Sequence, residues 1–179
     1  MTRSADIKVM GIDPSCTRAG LCIGGVAEVI QPGTTNIGLR LEAIANHMDR
    51  SLARHQPHVA VIEAYAQSSK MGVKSFARLA EAGGQFRLSL HKAQVPWVEV
   101  TPQQLKMAAT GAGNAKKPEM IAAAEAAGAV LVSGVDDEAD AFWLEQAGLA
   151  GYHTGPDVSA PMFDLVDSIE WPHLMGVAA

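Results

Sequence analysis

The chain has 179 residues, is 48% hydrophobic and 18% charged, and carries a formal net charge of −5. That balance predicts one globular domain, residues 1–150, with an acidic Pro/Gly-containing tail, residues 151–179, expected to be poorly packed. No apolar run is long enough to span a bilayer, the opening MTRSADIKVMGID lacks the apolar core of a secretory signal, and Cys16 and Cys22 read as reduced thiols of a cytoplasmic chain, although a disulfide between them is sterically conceivable.

Residues 6–13 (DIKVMGID) predict a strand with a buried centre. Pro14 and Ser15 turn the chain, residues 20–24 (GLCIG) return as a second strand, Gly24-Gly25 makes a tight turn and residues 26–30 (VAEVI) a third. Residues 38–54 carry Leu39, Leu41, Ile44, Ala45, Met48 and Leu52 at helical spacing, and Pro57 stops that helix. Residues 59–63 (VAVIE) are short, β-branched and nearly all apolar, as in a central parallel strand. A helix over 74–92 buries Phe76, Leu79, Phe86 and Leu90. Its Gly83-Gly84 pair weakens it by about 1 kcal/mol per Gly, which the close approach of a partner backbone would explain. Residues 95–100 form another strand, and Thr101-Pro102 supply an N-cap and a first-turn proline. GAGNAKK (111–117) is a loop, Pro118 opens a helix to about Ala127, Val130–Val132 is a short extended piece, and Asp136–Gly148 is the last helix. The order βββ-α-β-α-β-α-α predicts an α/β fold: a mixed five-stranded sheet, three antiparallel strands plus parallel ones, flanked by helices.

Four acids stand out on that frame. Asp13 and Glu63 end buried strands, where a carboxylate is costly unless a positive charge lies against it. Asp137 and Asp140 share a helical face by their i, i+3 spacing. Packing that helix over the sheet end would gather four carboxylates, an all-oxygen set suited to Mg²⁺ or Mn²⁺. Taken singly, each has an ordinary reading: Asp13 as a turn residue, Glu63 as half of an ion pair, the acids at 136–140 as partners of a helix dipole.

The blocks GIDPS, VIEAYA, TPQQLK…GAGNAKK and DDEADA, in this order over about residues 7–148, resemble RuvC-type Holliday junction resolvases, with spacing nearer their small phage-type relatives than the long bacterial form. The resemblance implies an RNase H-like fold, a homodimer acting in DNA recombination and repair, and nicking of four-way junctions with two divalent ions per site. Such ions, about 3.5–4 Å apart, clamp the attacking and leaving oxygens of an in-line displacement, leaving 5′-phosphate and 3′-hydroxyl ends. Carried over by motif, Asp13, Glu63, Asp137 and Asp140 are the metal ligands, with Asp136 the alternative to Asp137. Lys106 and the Lys116-Lys117 pair are expected to contact DNA. Bacterial members place an aromatic wedge three residues after the strand Glu. Here that position is Ala66, and Tyr65 is the candidate.

The cations are unevenly distributed. All 14 Lys and Arg lie at or before Lys117 and outweigh 8 acids there, giving +6, whereas residues 118–179 hold 11 acids and no Lys or Arg. Local field, not the total, governs contact with a polyanion. Lys70, Lys74 and Arg78 form a helical stripe next to Glu63, a phosphate track or else a solvated face. The glycines of 111–117 lack the spacing of a phosphate loop. Two other functions stay open: an RNase H-like hydrolase of RNA·DNA hybrid or duplex, and a non-catalytic junction-binding architectural protein.

Overall fold

Strand β1 (Val9–Asp13) is buried at every residue and lies inside a six-stranded sheet. The computed structural model describes residues 7–65, 72–152 and 159–174. β1 pairs antiparallel with β2 (Ala19–Ile23), and β2 antiparallel with β3 (Val26–Ile30), the expected meander. β4 (Val59–Glu63) runs parallel to β1, with Val9 opposite Val59 and Ile12 opposite Ile62, and β5 (Trp97–Val100) runs parallel to β4. The sixth strand, β6 (Val130–Leu131), pairs parallel with β3. The sheet therefore has one strand more than expected, because a two-residue strand is too short to carry a period.

Alternation divides the core. Met10, Ile12, Ala60 and Ile62 point to one face and pack with Ile44, Met48, Phe86 and Leu90 of α1 (Ile37–His55) and α2 (Val73–Lys92). Val9, Val59 and Val61 point to the other, against α3 (Pro102–Thr110), α4 (Lys117–Ala126) and α5 (Asp136–Gly151). Each fully buried large aliphatic side chain is worth about 1.5–3 kcal/mol, so a register slip of one residue would exchange the two cores.

Helix α5 lies directly on the strands. A Cβ at Gly11 would run into the backbone of Ala141 and Glu145, and a Cβ at Gly20 into the carbonyl of Asp137. These two positions let a helix backbone rest on a strand backbone, an approach any larger residue would block.

Local chemistry sets the helix ends. The Asn36 side chain accepts from Leu39 N at 3.1 Å to start α1. Thr101 and Gln104 close a capping box around Pro102 at the start of α3. In α5 the cap is a buried glutamate: Glu138 accepts from the backbone N–H groups of Ser133, Gly134 and Val135 at 2.8–3.3 Å.

Two expectations change. Residues 159–174, expected as part of a poorly packed tail, form α6 (Ala160–Asp167) and a following segment. Met162, Leu165 and Val166 are buried with the cluster around α3 and α5. Beyond α6, Trp171 Nε1 donates to Val166 O at 3.0 Å, its ring covers Gly151, and Tyr152 Oη donates to Pro172 O at 2.7 Å. Apolar spacing within an acidic, Pro-containing stretch hid this helix. The Gly83-Gly84 pair also has another cause: Gly83 is covered by the chain's own Tyr65 ring, while Gly84 faces open space. Among the described residues no helix is long and apolar enough to cross a membrane.

Candidate active site

Strand parity aims the first two acids. Asp13 has the parity of Val9 and Gly11, and Glu63 that of Val59 and Val61, so both side chains emerge on the α5 face at the ends of neighbouring parallel strands. Asp13 is only 8% exposed. The two carboxyls are close enough to share a proton. Helix α5 adds Asp140 and Asp137, whose charges both act on Asp13 and Glu63.

Burial and this crowding of negative charge raise the carboxyl pKa values. Desolvation is the larger cause at Asp13, followed by Glu63, Asp140 and Asp137, and together they hold it well above the usual carboxylate range. Glu63 is pushed up to about 7 by burial and then by Asp140, with Lys106 pulling the other way. Asp140 is pushed up to about 7 by burial and then by Asp136, again opposed by Lys106 and also by Lys117. Of the predicted cations, Lys106 on α3 thus stands beside Glu63 and Asp140, and Lys117 beside the start of α5, where its Nζ pairs with Asp136 at 2.5 Å. Lys116 precedes α4, and its backbone N–H donates to Glu119 Oε2 at 2.6 Å. Lys74 and Arg78 are exposed on α2, and Lys70 and Ala66 lie outside the described residues.

Tyr65 is packed against its own chain. Its hydroxyl donates to Ala80 O at 3.0 Å and accepts from Arg87 Nη1 at 2.8 Å, and the Arg87 guanidinium stacks 4.3 Å from the ring centroid. A ring so engaged joins β4 to α2, and using it as a wedge would break all three contacts.

The sequence reading missed Arg18. From the β1–β2 turn its Nε donates to Asp137 Oδ2 at 2.5 Å and its Nη2 to Asp136 Oδ1 at 3.1 Å. A lone arginine in a turn carries no spacing signal, and only the fold brings it to α5. Glu138, the residue after the two candidate ligands Asp136 and Asp137, is committed to capping through the backbone of Ser133 and Gly134.

The donor set fits a hard divalent cation. Every convergent group is a carboxylate, and Asp140 Oδ1 is buried with no hydrogen-bond partner among the described residues, an arrangement that costs about 1–3 kcal/mol for an unsatisfied acceptor. Among the described residues no three acidic, His or Cys side chains close into a finished coordination sphere. Asp137 Oδ2 is turned to Arg18.

The raised pKa values give a measurement that does not depend on catalysis. The native protein binds these protons more tightly than the unfolded chain does, so their stabilisation is complete below about pH 4 and is lost as pH rises through about 7. Without metal, Tm should fall between about pH 5.5 and about pH 8. Mg²⁺ should raise Tm more at the higher pH, because ligation needs the deprotonated carboxylates. A Mg²⁺ response equal at both values would contradict a carboxylate site.

A mixed sheet with acids ending two adjacent parallel strands, and a helix laying further acids across them, has the RNase H-like architecture. The sequence matches the family of crossover junction endodeoxyribonuclease RuvC over residues 9–142. The chain belongs to that family. It is 33% identical over 128 residues to the crossover junction endodeoxyribonuclease RuvC of Nocardia farcinica and 33% identical over 127 residues to that of Mycobacterium tuberculosis, a match covering 65% of this chain and 66% of each relative. Among solved structures, Thermus thermophilus RuvC in complex with Holliday junction substrate superposes with a TM-score of 0.66 at 24% identity, over 83% of this chain and 97% of that one. The yeast mitochondrial Holliday junction resolvase Ydc2 superposes with a TM-score of 0.51 at 13% identity, over 78% of each chain. Both likenesses concern the fold.

Proposed function

We propose that the chain is a Holliday junction resolvase, cutting branched DNA by metal-dependent phosphodiester hydrolysis to leave 5′-phosphate and 3′-hydroxyl ends. The observation that supports the reading is the mutual electrostatic influence of Asp13, Glu63 and Asp140, carried by three separated segments, with one buried Asp140 oxygen that has no hydrogen-bond partner among the described residues. Family membership supports it.

Asp13, Glu63, Asp137 and Asp140 would hold Mg²⁺ or Mn²⁺, two ions per site, which supply an activated water and neutralise the departing oxygen. Asp136 is a poorer ligand than Asp137, since both its oxygens are taken by Arg18 and Lys117. Lys106, lying beside Glu63 and Asp140, is suited to hold the scissile phosphate. Lys116 and Lys117 face solvent next to it, and Lys74 and Arg78 extend the positive surface along α2. The protein would work in the cytoplasm as a homodimer, since paired nicks need paired sites. The outer face of α2, with exposed Val73, Ala77, Gly84 and Leu88, is the apolar surface suited to a second copy.

The deciding experiment offers the purified protein matched four-way junction, fork, duplex and RNA·DNA hybrid substrates with Mg²⁺, with sedimentation run on the same samples. We expect paired nicks in the junction and a dimeric species. A hybrid cut faster than the junction would favour the RNase H-like reading, no cleavage with either Mg²⁺ or Mn²⁺ would end the nuclease reading, and a monomer on and off DNA would end the dimer.

A further inference from the structure

We propose that Arg18 is a phosphate-binding residue kept in reserve: it pairs with Asp137 and turns to the DNA backbone when Asp137 is drawn to a metal ion. This rests on the reading that DNA docks on the carboxylate end of the sheet.

The geometry sets up a competition. Arg18 Nε lies 2.5 Å from Asp137 Oδ2. One carboxylate oxygen cannot give its full charge to a guanidinium and to a divalent ion at once, and the doubly charged ion has the stronger field. Asp137 also acts on Asp13 and Glu63, so it stands within the reach of the acid cluster. Once Asp137 leaves, Arg18 keeps only the 3.1 Å bond from Nη2 to Asp136, and Asp136 is already bound by Lys117 on its other oxygen.

A guanidinium has five donors in a planar fork. In this structure Nη1 of Arg18 has no hydrogen-bond partner among the described residues, and the side chain is 36% exposed. Releasing Nε reopens the side-on edge that it forms with the near hydrogen of Nη2, the bidentate edge that matches a phosphate, and Nη1 stays available at the end of the group. The backbone is braced for this: Ser15 Oγ accepts from the N–H groups of Thr17 at 3.2 Å and Arg18 at 3.3 Å, fixing the turn from which the side chain springs. Asp136 then acts as a positioning residue, holding Arg18 and Lys117 on either side of it at the rim.

The test measures junction binding against salt, once without divalent metal and once with Ca²⁺, for wild type, Arg18→Ala and Arg18→Lys. Each phosphate contact contributes about 0.9 to the slope of log affinity against log salt. With Ca²⁺, Arg18→Ala should lose about one contact's worth of slope and bind several-fold more weakly, while Arg18→Lys keeps the slope. Without metal, Arg18→Ala and wild type should share one slope, because Arg18 is then held by Asp137. Calorimetry on the DNA-free protein should find Ca²⁺ bound more tightly by Arg18→Ala, its competitor being gone. If the Ca²⁺ slopes of wild type and Arg18→Ala coincide, or if Arg18→Ala only weakens Ca²⁺ binding, Arg18 is a brace and the inference is wrong. Should Arg18→Ala fail to fold, Arg18→Gln, which keeps hydrogen bonding without the charge, takes its place with the same expected slopes. A wild type that binds no junction at all would instead overturn the proposed function itself.

Discussion

Asp13→Asn should yield a folded protein that holds a four-way junction and does not cut it. Asp13 is the most crowded carboxylate of the site, buried and facing Glu63, Asp140 and Asp137 together. Under the proposed function, removing its charge removes a metal ligand on which Glu63, Asp140 and Asp137 all act. Metal assistance is worth several kcal/mol in the transition state, and each 1.4 kcal/mol or so is tenfold in rate, so cleavage should fall on the order of 1,000-fold. Binding should hold or tighten, since the surface that meets the phosphates loses a negative charge. The metal-free variant should also melt above wild type near pH 8, because the repulsion that raises the Asp13 pKa is relieved. Gel-shift, cleavage and melting on one preparation check all three. Cleavage near the wild-type rate would remove Asp13 from the chemistry, and loss of binding together with a lower Tm would mean that the residue serves the fold.

Gly20→Ala should be nearly as damaging to cleavage without touching a charged group. The new Cβ would collide with the carbonyl of Asp137 and reach Ala141 Cβ, so α5 must lift from β2 at the turn that carries the acids. Overpacking of this kind costs about 1–3 kcal/mol, and each kcal/mol lowers Tm by roughly 2–4 °C in a domain of this size. A displacement near 1 Å of Asp137 and Asp140 relative to Asp13 costs on the order of 100-fold in rate. Gly148→Ala is the comparison. Its Cβ meets the side chains of Val9 and Val61 at the far end of the helix, so it should lower Tm to a similar degree and cost far less cleavage. Equal losses of cleavage from the two variants would show that stability alone, and not the placing of the carboxylates, governs the rate.

These glycines mark where sequence reading stopped. Asp13 and Glu63 were legible because a carboxylate ending a buried apolar run has a physical cost, and Asp137 and Asp140 because three-residue spacing on a helix fixes a shared face. The β-meander, β4 and the Thr101-Pro102 helix start were legible because turn, strand and cap chemistry is local. Gly11 and Gly20 were not, since a glycine in a strand says that something comes close and never what. Arg18 had no pattern, as its partners lie 118 and 119 residues away. Tyr65 looked like a free aromatic because its covering, Gly83 and Arg87, follows about 20 residues later on another element. Strand β6 was too short for periodicity, and α6 sat within a stretch whose acidic, Pro-containing composition pointed to solvent.

Helix α5 has an anchor that none of this chemistry uses. Eight residues beyond Asp137, buried Glu145 accepts from the backbone N–H groups of Gly24 and Gly25 and from the thiol of Cys22. Asp137 is tied to the turn before β2 and Glu145 to the turn after it, so one helix spans the whole length of one hairpin arm. Eight residues at 1.5 Å rise fix that span at roughly 12 Å. The helix therefore works as a splint across β2, and the acids at its first turn inherit their height above the sheet from a joint at the opposite end of that arm.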